Sequence, residues 1–191
     1  MPYALVAKIR RKESNIRKWL IASGQWASRS VICLLLALCS SAHAQVSEPQ
    51  LRAGVIVGVL RYVKWQSPPA TPTLPVCGMG DSPGFRVLLQ SKPKITIGGR
   101  AVEFRELDGS NNGDGCAAVI VGANINGKGL AYLKKLALLS ICDTCNFPDQ
   151  HAIALFMSGQ RIRFSADMAL AQSAGVQFDA AMLELAAKVE R

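Results

Sequence analysis

The stretch "GCAAVIVG", residues 115–122, decides the fold class. Six apolar residues, Cys116 to Val121, stand in a row between two glycines with no polar alternation. A strand with one wet face alternates apolar and polar residues, whereas an unbroken run belongs to a strand covered on both faces. The run is also too short for an ordinary helix. The expectation is a central strand of a sheet with layers on either side.

Similar runs lie on both sides of it. "LPVCGMG" (74–80) reads as a second buried strand, and "LLSIC" (138–142) as a third. "KITIGGRAVEFREL" (94–107) holds two extended runs around Gly98-Gly99, a hairpin or a bent strand. "IALFMSGQRIRFSAD" (153–167) reads as two strands joined near Ser158-Gly159. Helical patterns alternate with them. In "EPQLRAGVIVGVLRYVKW" (48–65), Leu51, Val55, Val59 and Val63 recur every four residues with Ile56 and Leu60 beside them. Four prolines in "QSPPATPTLP" (66–75) then break the pattern. "DSPGFRVLLQS" (81–91) has Asp81 or Ser82 as a cap and Pro83 in its first turn. "NGKGLAYLKKLALL" (126–139), "MALAQSAG" (168–175) and "DAAMLELAAKVE" (179–190) read as further helices. This order predicts an α/β sandwich, three-layer-like, with a mixed central sheet flanked by helices.

The N-terminus reads as an export signal. Basic residues from Lys8 to Arg29 precede "VICLLLAL" (31–38) and then "CSSAHA" (39–44), whose Ala42 and Ala44 have the spacing a signal peptidase accepts. Cleavage is expected after Ala44, leaving residues 45–191 as one domain. The whole chain has 22 Lys/Arg against 13 Asp/Glu, net +9; residues 45–191 keep 15 against 12, net +3. That balance gives no case for nucleic acid. With no second long apolar run, the expected location is the periplasm.

Cys33 and Cys39 fall in the signal, so Cys77, Cys116, Cys142 and Cys145 remain. An even count in an oxidising compartment predicts two disulfides, with three possible pairings. The pair in "CDTC" (142–145) has three readings: redox site, half of a zinc site with His151, or local structural disulfide. A redox pair normally opens a helix, whose dipole lowers the thiol pKa. Here "NFPDQ" (146–150) is a turn composition, so the structural disulfide is preferred. No metal or other cofactor is expected. His151 reads as a solvated loop residue, and Glu103, Glu106, Asp108 and Asp114 as surface charge. Gly78, Gly80 and Gly84 have the spacing G-x-G-x-x-x-G, a tight turn whose N–H groups could also cradle a small anion or nucleotide. Tyr62 and Trp65 read as core, or as part of a contact surface.

Taken together, the motifs resemble a known family. "GVLRYVKWQ" (58–66), containing Tyr62 and Trp65, resembles the end of the first helix of the YfiR family of periplasmic regulators. "LFMSGQRIRFSADMALAQSAGVQFDAAMLELAAK" (155–188) resembles that family's ending, with Arg161, Phe164, Asp167 and Gly175 at motif positions. The resemblance implies a disulfide between Cys77 and Cys116, and makes Cys142 and Cys145 a shifted version of the second one. Four departures stand out: Asp167 where Asn is usual, Ser173 where a basic residue is common, Gln66 where proline follows the tryptophan, and the closer cysteine pair. The implied function is regulation, not catalysis. Such proteins bind the periplasmic sensor domain of an inner-membrane diguanylate cyclase (YfiN-like) and hold it inactive, lowering cyclic-di-GMP and biofilm formation. The implied partners include an OmpA-like outer-membrane lipoprotein (YfiB-like) and a second copy in a homodimer. The alternatives are the small-anion or nucleotide site at Gly78–Gly84 and a thiol–disulfide protein using Cys142 and Cys145.

Overall fold

The computed structural model describes residues 46–67, 71–107, 115–125 and 127–191. The expected signal sequence at 1–44 and most of the glycine-rich loop at 108–115 lie outside the described residues.

The first helix, α1, spans Glu48–Arg61, with Pro49 in its first turn and the Gln50 side chain accepting the Ser47 N–H at 3.0 Å. It buries Arg52, Ala53, Ile56, Val59 and Leu60. The four-residue period predicts a helix that runs on to Trp65. It instead stops at Arg61, and Val63–Trp65 forms a short strand, β1. Val63 extends the four-residue period, but Val63 and Trp65 also alternate, and strand pairing wins there. Their partner is β9, Val176–Phe178, joined antiparallel with Trp65 opposite Val176. These two strands make a separate ribbon.

The main sheet contains the remaining strands: β2 (Thr73–Met79), β3 (Thr96–Ile97), β4 (Arg100–Glu106), β5 (Ala118–Val121), β6 (Leu139–Cys142), β7 (Ile153–Ser158), β8 (Arg161–Asp167) and β10 (Lys188–Glu190). Their order is β10-β8-β7-β6-β5-β2-β4-β3. The five strands β4, β2, β5, β6 and β7 run parallel, while the β3–β4 and β7–β8 hairpins are antiparallel. The fold is therefore the α/β sandwich with a mixed sheet that the sequence predicts. Helix α2 (Pro83–Ser91) follows β2, α3 (Gly127–Leu136) follows β5, and α4 (Met168–Ser173) and α5 (Ala180–Leu185) precede the last strand. The expected long final helix is cut at Leu185, because Ala186 turns extended and β10 adds parallel to β8.

Every residue of β5 is buried, as its unbroken apolar run requires. Ala118 and Ile120 join Leu74, Val76, Leu139, Ile141 and Ile153 in a core closed by α1 and α2 through Ile56, Leu60, Phe85 and Leu88. Val119 and Val121 face the other way, packing with Cys77, Cys116 and Leu133 of α3. Between β2 and β5 the chain changes direction of travel across the sheet, because β2 leads towards β4 and β5 leads towards β6. Such a switch point opens a crevice at the C-terminal strand ends, where α/β folds commonly bind ligands.

Candidate functional site

The crevice at the ends of β2 and β5 is filled by the protein itself. Ser82 caps α2, its hydroxyl accepting the Phe85 N–H at 3.1 Å. The same hydroxyl donates to Asp143 Oδ2 at 2.7 Å, and the Gly84 N–H donates to that oxygen at 2.9 Å. Asp143 Oδ1 accepts from Arg52 Nη1 at 3.0 Å, which also reaches the Asp143 carbonyl at 2.5 Å. The Asp143 side chain has no exposed surface and that of Arg52 only 8 %. Burial opposes the Arg52 charge, but its hydrogen bonds to the Glu48 and Asp143 carboxylates outweigh it and raise the guanidinium pKa. Gly84 allows this closeness: a Cβ there would lie 2.9 Å from the Arg52 Cβ. Two donors of this turn, the Gly84 N–H and the Ser82 hydroxyl, are thus spent on an internal carboxylate.

Asp143 lies within the loop that the cysteine pair closes. Cys142 ends β6, and a Cys142–Cys145 disulfide closes the four-residue loop that carries Asp143 and Thr144. The Thr144 hydroxyl donates to the Asp81 carbonyl at 2.9 Å, a second tie to the β2 end. Cys142 is 2 % exposed and has a strand, not a helix N-terminus, behind it. Neither accessibility nor dipole favours thiol chemistry there. The other disulfide joins Cys77 in β2 to Cys116 just before β5, with the Arg105 Nε 3.4 Å from the Cys77 sulfur.

The role of Asp143 was not read from the sequence. One signal for it exists: Arg52 lies four residues before Ile56, on the buried stripe of α1, and a buried cation needs an anion.

His151 corrects another expectation. It is 4 % exposed, not solvated. The short 3-10 turn Pro148–Gln150 folds it inward, and it lines a cavity of about 120 Å³ with Leu133, Ser140, Gln150 and Ser173. Polar neighbours in sequence hid a position that the turn buries.

The family-motif positions fall into two groups. Tyr62 caps α1 and is 40 % exposed, so it is not core. Trp65 is half-buried, and its indole N–H donates to the Ala117 carbonyl at 3.2 Å, next to Cys116. Gly175, with φ of +67°, follows α4 and gives its carbonyl to the Gln66 N–H at 2.9 Å. A proline at 66 could not donate that bond. Asp167 caps α4 through the Leu170 N–H at 2.9 Å, a task Asn performs equally. Phe164 is buried in the core, and Arg161 stands apart at the exposed tip of the β7–β8 hairpin.

A family model described as YfiR/HmsC-like matches residues 49–187. The chain belongs to this YfiR/HmsC-like family. A search of curated proteins gave no match. The YfiR/HmsC-like region runs from the first turn of α1 to the residue before β10, so it takes in the disulfides, the Asp143 network and both groups of motif residues. Among the described residues no helix is long and apolar enough to cross a membrane.

Proposed function

We propose that this YfiR/HmsC-like chain is a periplasmic regulator that restrains an inner-membrane diguanylate cyclase by binding its periplasmic sensor domain. The observation that carries the reading is the family match over residues 49–187. Two further features support it. The crevice where α/β folds commonly take small ligands is filled by Asp143, and exposed apolar side chains sit elsewhere, at Tyr62, Phe156, Met157 and Leu185. The family is a regulatory one, not an enzyme class. Export by the segment 1–44 would place the domain 45–191 beside the sensor, and an OmpA-like outer-membrane lipoprotein and a second copy are the further partners proposed.

The mechanism is a population shift. A regulator that binds the inactive sensor about 100-fold more tightly than the active one shifts the equilibrium by about 2.7 kcal/mol. A partner that removes the regulator reverses that shift. Deleting the gene is expected to raise cellular cyclic-di-GMP, measured by mass spectrometry of nucleotide extracts. Unchanged levels in cells that express the cyclase would overturn the reading.

A further inference from the structure

The β7–β8 hairpin runs beyond the rest of the sheet. β6 pairs with β7 only at Ile153 and Ala154, and β10 pairs with β8 only from Ser165 to Asp167. Beyond those points, residues 155–158 and 161–164 pair only with each other among the described strands. The arm is closed by Gly159-Gln160, with Gly159 at φ of +61°, as a type II′ turn requires.

Backbone groups along a strand point alternately to its two sides. The Phe164 carbonyl accepts from the Ala187 N–H at 2.8 Å, which marks the outer side of β8. By alternation the Ile162 N–H and C=O face that same side, past the end of β10. Among the described strands none pairs with β8 on that side there, and an edge of this kind is a template for another strand.

The side chains specify what could add there. Opposed residues share a face, so Phe156 with Arg163 and Ser158 with Arg161 form one face. Leu155, Met157, Ile162 and Phe164 form the other, in which Leu155 and Phe164 continue the core. Phe156 is 40 % exposed, and both arginines are exposed. Neither arginine has an ion-pair partner among the described residues. The segment 155–164, "LFMSGQRIRF", contains no Asp or Glu. Two guanidiniums beside an aromatic ring suit carboxylates. The phosphates of lipid headgroups and nucleic acid could meet the charge, but only another strand matches the outward N–H and C=O together. A second copy of the same arm would oppose arginine to arginine, which is unfavourable.

We infer that the outer edge of β8 at Arg161–Arg163 is a docking site for an extended acidic segment of a protein partner, which adds as a strand while its carboxylates meet Arg161 and Arg163. This deepens the proposed function and rests on the reading that the chain acts through a protein partner. It does not rely on the cysteine pair or the Asp143 network.

The test is fluorescence anisotropy with a fluorescein-labelled decapeptide of alternating valine and glutamate, titrated with the purified full chain. Saturable binding is expected. It should weaken at least tenfold in Arg161→Glu/Arg163→Glu, and in Ile162→Pro, which removes the outward N–H. Thermal melting followed by circular dichroism checks that each variant folds, and Arg161→Gln/Arg163→Gln, which only neutralises the charge, is the fallback for the arginines. Absence of peptide binding overturns the proposal. So does equal binding to the valine–lysine decapeptide, or binding that the variants leave intact. Binding to phosphatidylglycerol vesicles that the arginines support, without peptide binding, replaces it with a membrane surface. A cellular arm separates this from the broader reading. If deletion raises cyclic-di-GMP while Arg161→Glu/Arg163→Glu keeps it low at normal protein level, the docking site falls and the function stands. If deletion has no effect, the function falls, and the peptide titration still decides the site.

Discussion

Asp143 has no exposed side-chain surface, yet it accepts from a guanidinium, a hydroxyl and a backbone amide. Each of those donors would be left without this partner if the carboxylate were removed, and breaking one side of a buried ion pair typically costs about 3–5 kcal/mol. Asp143→Ala is therefore expected to lower stability by about that amount in urea unfolding. Removing the cation as well, in Arg52→Leu/Asp143→Ala, should cost less than the two single changes added together, because no charge is then stranded. Asp179 is a different case, at the surface. The Lys64 ammonium, 2.8 Å away, and the Ala181 N–H hold its carboxyl below the usual carboxylate range. A depressed folded pKa means stabilisation that is complete above the unfolded-state value and is lost as pH falls through the folded one. The link between β1 and the start of α5 should accordingly persist at neutral pH and fade only below about pH 4. A carboxyl-carbon NMR titration is expected to show Asp179 titrating below ordinary aspartates, and Lys64→Ala should bring it back up.

At the scale of elements, the two disulfides divide their tasks by loop length. Cys77–Cys116 closes a separation of 39 residues and Cys142–Cys145 one of 3. Loop-closure entropy assigns about 4 kcal/mol to the first and about 2 kcal/mol to the second. Cys77→Ala/Cys116→Ala should therefore cost roughly twice as much as Cys142→Ala/Cys145→Ala in guanidinium unfolding. A short-loop loss well beyond 2 kcal/mol would mean that the bridge also holds Asp143 in place. What the sequence revealed follows the same physical lines. The strand 118–121 was legible because burial on both faces leaves nothing but apolar residues, and 139–142 because Ser140 is the one polar residue in an otherwise apolar run. The β3–β4 and β7–β8 hairpins were legible because Gly98-Gly99 and Gly159 mark turns that need positive φ. The ribbon was not. Val63 fits a helical period and a strand alternation equally, and only its non-local partner Phe178 selects the strand. The sequence of β10 predicts helix because "AAKVE" (186–190) carries strong helix formers, and pairing with β8 overrides them. The Asp143 network joins residues 52, 82 and 143, a separation no local pattern encodes.

For the whole molecule, the pairing order sets a gradient of local stability. β5 is bonded to β2 on one side and β6 on the other, is covered on both faces and is fully buried. Its amides can exchange only when the sheet opens as a unit. Beyond residue 154 the strands of the β7–β8 arm pair only with each other among the described strands, and the β1–β9 ribbon has three pairs. Both should open at lower free energy. The prediction can be stated for single amides. The two-residue turn closes at Ser158 opposite Arg161, so the amides of Arg161 and Arg163 bond inward to β7 while that of Ile162 faces out. In hydrogen exchange read by NMR, Val119 and Ile120 should be slowest, Arg163 intermediate and Ile162 fast in the free chain. Protection of Ile162 equal to that of Ile120 without any partner would mean that the β8 edge is already covered, and the arm could not then receive a strand. Protection that appears at Ile162 only when the acidic decapeptide is added, with Ile120 unchanged, is the outcome expected of strand addition, because the new amide bonds form at the edge and leave the centre of the sheet as it was.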